Sequence, residues 1–345
     1  MSQNAFDALV PFGWNDRVAA LYNEVAVPDT VPGRVVRVER SGCFVAVPDG
    51  ERLVDAHPLP AVGDWVAVAT SNDRGIARHV LPRWSALVRG DPSGGRPQTL
   101  AANVDIVLVT TPADRPSAAR VERESLLAWE SGARPVVVVT KIDLDDDDYV
   151  GELRARLTAV DVLSTSAVTG EGVGEVADQL KPCLTAVLLG PSGAGKSTLA
   201  NALLGDEVLA TDAVRVGDHR GRHTTTARQL VALPSGGVLI DTPGLRSLGL
   251  WGGADSIEQT FPDIADLAAA CRFADCRHDH EPDCAVVAAA SDGTLDAERL
   301  ASYRKLDREV AYEQRRSDPV ARAAEQRKWK VIKKELRRRN RSDAD

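Results

Sequence analysis

No apolar run in the 345-residue chain approaches the roughly 20 residues that a membrane-crossing helix needs. The first residues, Met1 to Val25, show neither a basic stretch leading into an apolar one nor an Arg-rich amphipathic pattern, so no signal or transit peptide is visible. The expectation is a cytoplasmic chain with no membrane partner. Five cysteines in a chain of this length do not suggest a disulfide framework, and three of them crowd into one short stretch with histidines. Positive charge is also in short supply, with a net charge of −8. The shortage is uneven, because Asp143 to Asp148 is strongly acidic while 327–341 is dense in Lys and Arg. A nucleic-acid contact is therefore not excluded at the C-terminal end. The length allows two or three domains.

What is present begins with strands. From Pro32 to Arg89, β-branched residues alternate with polar ones between glycine turns: 34–38, 43–47, 63–68 and 76–81. Four or five short strands at this spacing predict a small β-barrel or sandwich over residues 31–95, with an OB-type barrel as the first choice, either an RNA-docking module or a structural domain with Trp65 and Trp84 in its core. Cys43 lies in an apolar strand and reads as a buried thiol, and Cys183 as an inert one. Residues 1–30 form an extension whose amphipathic pattern around Phe12, Trp14, Val18 and Leu21 reads as one helix packed on a neighbouring domain, and 90–98, rich in Gly and Pro, reads as a linker or loop.

The chemistry concentrates between residues 96 and 252. Gly190-Pro191-Ser192-Gly193-Ala194-Gly195-Lys196-Ser197 has the G-x-x-x-x-G-K-S spacing of a phosphate-binding loop, between an apolar strand (184–189) and a helix (Thr198 to Leu204). In such a loop backbone N–H groups surround phosphates, Lys196 reaches the β and γ phosphates, and the Ser197 hydroxyl ligates Mg²⁺. A β-α-β unit precedes it, with strands at 103–110 and 135–140 and a helix at 118–130. Its second strand ends in Thr140-Lys141-Ile142-Asp143, similar to the Asn-Lys-x-Asp guanine signature. Asp143 would accept from guanine N1–H and the exocyclic amine, which adenine cannot offer, and Lys141 would cover the base. Thr140 replaces the commoner Asn, which is expected to weaken one loop contact. Thr165-Ser166-Ala167, ending another short strand, resembles the backbone clamp on the guanine O6.

Past the phosphate loop, Gly221-Arg222-His223-Thr224-Thr225-Thr226 suits a mobile switch in which Thr225, or else Thr224, completes the Mg²⁺ shell. A strand at 237–240 then delivers Asp241-Thr242-Pro243-Gly244, with Asp241 holding Mg²⁺ through water and the Gly244 N–H sensing the γ-phosphate. Leu245 stands where many GTPases place a water-orienting glutamine, so turnover without a partner should be slow; His223 is the internal candidate for the missing element, or a structural histidine. The order of motifs, base reader before phosphate loop before switches, describes a circularly permuted GTPase domain whose second switch runs straight into the C-terminal region.

That C-terminal region, 253–345, contains Cys271, Cys276, His278 and Cys284 in the pattern C-x₄-C-x-H-x₅-C. Three thiolates and an imidazole suit one tetrahedral, structural zinc, with His280 as a rival ligand. Trp329, Ile332 and Leu336 recur on one face of a basic C-terminal helix, the pattern of an RNA-phosphate contact or of a helix packed on the body. Two rival readings remain: an ATP-dependent enzyme with Asp143 incidental, and an RNA-binding scaffold switched by nucleotide.

Taken in order, the β-barrel, A-A-N-V-D (Ala101 to Asp105), T-K-I-D, the phosphate loop, G-R-H-T-T-T, D-T-P-G and the Cys/His cluster resemble the ribosome small-subunit-dependent GTPase A family (RsgA, or YjeQ). The resemblance implies a multidomain α/β protein. An OB-type barrel would be followed by a permuted phosphate-loop GTPase domain and a mostly helical zinc-binding domain. It implies a monomeric GTPase, using GTP/GDP, Mg²⁺ and zinc, that acts late in small ribosomal subunit assembly, binds rRNA and is stimulated by the subunit. The site it assigns includes Thr198 beside the phosphate-loop residues and the base reader.

Overall fold

The structure is a computed structural model that describes residues 3–25, 27–39, 41–70, 74–89, 97–144, 148–205, 228–241 and 254–317. The chain divides into two compact units, Met1–Gly249 and Leu250–Asp345.

The first unit opens with two helical segments where one was expected: a 3₁₀ segment, Gln3–Phe12, that contains Pro11, and α1, Asp16–Val25. Phe6, Trp14 and Tyr22 meet edge to face, and Trp14 continues the cluster onto the buried Trp65 at 5.6 Å between ring centres. This extension is thereby tied to the barrel through aromatic surface.

Five strands come next: β1 (Val31–Glu39), β2 (Gly42–Val47), β3 (Gly50–Asp55), β4 (Trp65–Ala69) and β5 (Gly75–Val80). They run in the order β1-β2-β3-β5-β4, and β4 returns to pair with β1, so the sheet closes. β3 and β5 are parallel and the other neighbours antiparallel, which is the OB arrangement. Alternate positions Val35, Cys43, Val45, Val54, Val66 and Val68 fill the interior. Burial pushes the Cys43 thiol up to about 11, as a buried thiol requires. β6 (Ala86–Arg89) and β7 (Gln98–Ala102) pair antiparallel as a separate two-stranded sheet, and residues 90–96 of the Gly/Pro-rich stretch lie outside the described residues.

The second sheet is built from β8 (Ile106–Pro112), α2 (Ala118–Glu130), β9 (Arg134–Thr140), α3 (Tyr149–Arg156), β10 (Asp161–Thr165), α4 (Val173–Asp178), β11 (Thr185–Leu189), α5 (Lys196–Leu204), β12 (Gln229–Ala232) and β13 (Val238–Asp241). Strands β10-β9-β8-β11-β13 are parallel, with β12 antiparallel beyond β13. β8 is buried along its length and β9 beyond Arg134, the continuous apolar runs of a sheet covered on both faces. β12 also meets β1, where Gln229 pairs with Arg37, so barrel and parallel sheet form one continuous strand array.

A buried polar joint reinforces that contact. Arg34, fully buried in the barrel, donates to the Asn103 carbonyl and the Thr185 hydroxyl at 3.2 and 3.1 Å and lies over the Trp65 ring. Burial lowers its guanidinium to about 10, and the carboxylates of Asp105 and Asp64 oppose that shift. Asp105 accepts from the Thr185 N–H and the Trp84 indole, while Asn103 Nδ2 donates to the Gly63 carbonyl. Gly63 has φ +90°, and a Cβ there would sit 2.2 Å from the Ala102 carbonyl oxygen, so only glycine fits. The A-A-N-V-D stretch is therefore structural: it seats the parallel sheet on the barrel.

The second unit contains α6 (Ala254–Thr260), α7 (Pro262–Ala268), α8 (Ala285–Asp292) and α9 (Ala297–Ser317). Phe261, Ile264, Val286, Leu300, Leu306 and Val310 are among its buried apolar residues. Arg299, 3% exposed, makes a two-pronged ion pair with Asp263 and stacks on Phe261. The expected basic helix around Trp329 lies outside the described residues. Among the described residues no helix is long and apolar enough to cross a membrane.

Candidate nucleotide site and metal centre

The parallel sheet carries the predicted phosphate and base motifs at the carboxyl ends of its strands. β11 leads into 190–195, and α5 begins at Lys196, with Gly195 (φ +78°) as its cap. Gly190 has φ +154°, and a Cβ there would lie 2.2 Å from Thr110 Oγ1 and 2.4 Å from its carbonyl oxygen. The strand end therefore demands glycine, and the loop can press its backbone against β8. Lys196 Nζ donates to the Gly190 and Pro191 carbonyls at 2.8 and 2.6 Å, which draws the loop into a ring with the ammonium inside it. Ser192 and Thr198 are exposed, Ser197 half-buried and Ala194 buried.

The base-reading motif sits two strands away, at the end of β9. Thr140 is buried, and its hydroxyl donates to the Ala194 carbonyl at 2.7 Å. The loop contact that replacing asparagine was expected to weaken is thus made by threonine. The shorter side chain reaches because Thr140 lies opposite Pro112 on β8 while the left-handed turn at Gly195 comes directly after Ala194. Lys141 adopts φ +60°, an uncommon conformation for a residue with a Cβ, and such strain concentrates at ligand sites. Asp143 lies next on an exposed single turn, Ile142–Leu144. Ser166 is buried after β10; its N–H donates to the Glu171 carbonyl and its hydroxyl accepts from the Thr169 N–H. These bonds fold the 165–171 loop on itself and present the half-buried Ala167 beside it. Asp241 ends β13, opposite Gln229. His223, Thr224, Thr225, Gly244 and Leu245 lie outside the described residues.

Sequence reasoning missed Thr110 and Glu124. Thr110 donates to the Leu189 carbonyl at 2.9 Å and backs Gly190. Glu124, on α2, is largely buried with Oε2 unpartnered, and burial pushes its carboxyl up to about 7, against the charges of Arg120, Lys196 and Arg123. No motif marks these residues, because each acts through tertiary placement.

In the second unit, Cys271, Cys276, His278 and Cys284 converge, all ligand atoms lying within 4.8 Å of one another. Cys271 Sγ is 3.8 Å from Cys284 Sγ and 3.6 Å from His278 Nδ1, and Cys284 Sγ is 3.5 Å from that nitrogen. A tetrahedral zinc with Zn–S near 2.3 Å places sulfurs about 3.8 Å apart, so the donor set fits that ion and leaves no open position. His278, at φ +56°, is held by Arg304, whose guanidinium donates to the His278 carbonyl. Cys284 caps α8 and accepts from the Val287 N–H. His280 is exposed and outside the set. Glu281 gathers the N–H groups of Arg277, Asp279 and His280; these bonds, led by that of Asp279, hold its carboxyl down at about 2.

Residues 80–251 match a family described as RsgA GTPase. The chain is 46% identical to the small ribosomal subunit biogenesis GTPase RsgA of Streptomyces coelicolor over 353 aligned positions, covering 98% of this chain and 94% of that one. It is 44% identical to the protein of the same name from Opitutus terrae, covering 96% and 98%. Among solved structures, YjeQ from Thermotoga maritima is similar with a TM-score of 0.64 and 26% identity, covering 82% of this chain and 99% of that one. YloQ, described as a circularly permuted GTPase, shares the fold at a TM-score of 0.58 and 24% identity, over 84% and 96%.

Proposed function

The chain belongs to the RsgA GTPase family, and from that membership we infer an enzyme that hydrolyses GTP to GDP and phosphate in the biogenesis of the small ribosomal subunit. Its cofactors are GTP/GDP with Mg²⁺ and one zinc ion held by the Cys/His cluster. The single observation that supports guanine chemistry at this site is the 2.7 Å bond from Thr140 to the Ala194 carbonyl. It makes the base-reading end of β9 and the phosphate loop parts of one cradle.

In this reading Asp143 accepts from the guanine edge, Lys141 covers the base, and Ser166 and Ala167 clamp its carbonyl oxygen. The 190–195 backbone, Lys196 and Thr198 hold the phosphates. Ser197 and Thr225 ligate Mg²⁺, Asp241 supports it through water, and the Gly244 N–H senses the γ-phosphate. His223 supplies the water-orienting element that Leu245 cannot. Residues 1–30 serve as the extension, 31–95 as the barrel, 96–252 as the GTPase domain and 253–345 as the zinc domain. The protein acts as a cytoplasmic monomer without membrane contact, its barrel and basic C-terminal end touching rRNA.

GTP hydrolysis by the full-length protein, measured with and without purified small subunits, tests this. An increase of about tenfold or more in turnover with subunits is expected, because slow unaided phosphate-loop GTPases await a partner's contribution. Equal rates would overturn the partner reading, and hydrolysis of ATP as fast as GTP would overturn the guanine reading.

A further inference from the structure

The strand order locates a wall of the nucleotide crevice that no recognised motif marks. β8 connects through α2 to β9 on one side, whereas β11 leads through α5 toward β12 and β13 on the other. Adjacent parallel strands whose connections diverge in this way open a crevice outside their carboxyl ends, where ligands of such sheets bind. One lip of that crevice is the phosphate loop after β11. The other is Ala113-Asp114-Arg115, directly after β8, which the Ala113 N–H pins to the Thr140 carbonyl at 2.9 Å.

Two side chains on this second lip reach the two halves of the cradle. Arg115 donates from Nη2 to the Gly193 carbonyl of the phosphate loop at 3.4 Å, and a Cβ on Gly193 would come within 3.1 Å of that nitrogen. Asp114 Oδ2 lies 3.5 Å from Lys141 Nζ, the lysine assigned to the base, and its other oxygen lies 3.8 Å from Arg115 Nε. Asp114 thus fixes the base-covering lysine while Arg115 adds a positive charge at the rim of a site for a polyanion. Arg115 is 61% exposed, so its charge is free to turn toward a bound phosphate or ribose.

We propose that Asp114 and Arg115 form a nucleotide-retaining pair: Arg115 contacts the ribose–phosphate portion of the bound guanine nucleotide, and Asp114 acts as a positioning residue through Lys141. This rests on the guanine-site reading above. A nucleotide entering the crevice would exchange the long Gly193 contact for a charge-assisted bond, which slows release. Because the contribution is ionic, it weakens with salt.

The test is release of a fluorescent GDP analogue from the full-length protein, measured by stopped flow at low and high ionic strength. Arg115→Ala should accelerate release about tenfold or more at low salt, the lower end of what a charge-assisted hydrogen bond contributes, with Arg115→Lys recovering part of the loss. The salt dependence should shrink in Arg115→Ala. Asp114→Ala and Lys141→Ala should each speed release, and the double variant should add little to either, because they act as one unit. Wild-type release from Arg115→Ala, or additive effects of Asp114→Ala and Lys141→Ala, would overturn the proposal. Lys196→Ala serves as the separate control. If it binds the analogue normally, the nucleotide-site reading itself fails; if it abolishes binding while Arg115→Ala and Asp114→Ala release like wild type, only the retaining pair fails. Both lip residues are solvent-accessible, so their replacement leaves the buried core of the sheet intact.

Discussion

Strand β8 of the nucleotide sheet is buried at every position, whereas α8, beside the metal cluster, has eight residues of which Val286 and Ala289 are buried. The first is one member of an apolar core that joins Ile106, Leu108, Val136, Val138, Leu199 and Leu239. The second belongs to a unit whose other short helices, α6 and α7, have seven residues each. Helices of that length do not persist on propensity, and a small apolar core contributes little. The contrast teaches where each unit finds its stability. The nucleotide sheet holds its site open through burial of surface, at about 25 cal/mol per Å² of apolar area. The C-terminal unit holds the 271–284 loop through four metal ligands and the Arg304 bond to His278, while the Arg299 pair with Asp263 ties α9 to α7.

Removal of the metal is the most severe perturbation of the C-terminal unit. Structural zinc contributes about 10–16 kcal/mol of apparent binding energy in small metal-folded peptides, so its loss outweighs any single side chain here. Chelation should abolish hydrogen-exchange protection over 271–284 while GDP affinity in the first unit stays within about twofold. Protection that survives chelation would show that the cluster is not what folds this segment. A collapse of GDP binding would show that the two units do not draw on separate sources of stability.

A finer probe acts inside the nucleotide sheet and leaves the other unit untouched. Glu124 is raised from an ordinary 4.5 to about 7 because it is buried. Between those values the folded protein keeps a proton that the unfolded chain releases. Stability therefore falls as pH rises from 4.5 to about 7 and levels off above. Glu124→Gln removes the cost of charging the group and should stabilise the protein at pH 8 by between one and about 3 kcal/mol, with no gain near pH 4. Thermal melts at the two pH values check this, and equal shifts at both would contradict the assignment.

Much of the site was legible from residues alone because its chemistry is local in sequence. Phosphates need consecutive N–H groups, so the loop from Gly190 to Ser197 declares itself, and the zinc pattern does so through spacing. The helix at 118–130 was read to its observed ends. Tertiary reach was not legible. Thr140 looked like a weakened contact until the strand ends brought its hydroxyl to Ala194. Ala101 to Asp105 was a recognisable string without a role, and its role is to receive Arg34 from a strand nearly seventy residues earlier. Asp114 and Arg115 resemble an ordinary polar turn, and only the divergence of connections between β8 and β11 assigns them to the crevice. The extension's first segment, Gln3–Phe12, was not legible, because Phe6 is placed by tertiary contact with Trp14 and Tyr22 and not by a local repeat.

The central claim is that the cradle formed by β9 and the phosphate loop reads guanine through Asp143. Nucleotide preference of Asp143→Asn, set against wild type by competition of GTP, xanthosine triphosphate and ATP for the full-length protein, tests it most directly. An amide reverses hydrogen-bond polarity toward the base, so the variant should prefer xanthosine triphosphate over GTP, with wild type favouring GTP over both competitors. An Asp143→Asn protein that still selects GTP as strongly as wild type would contradict the account.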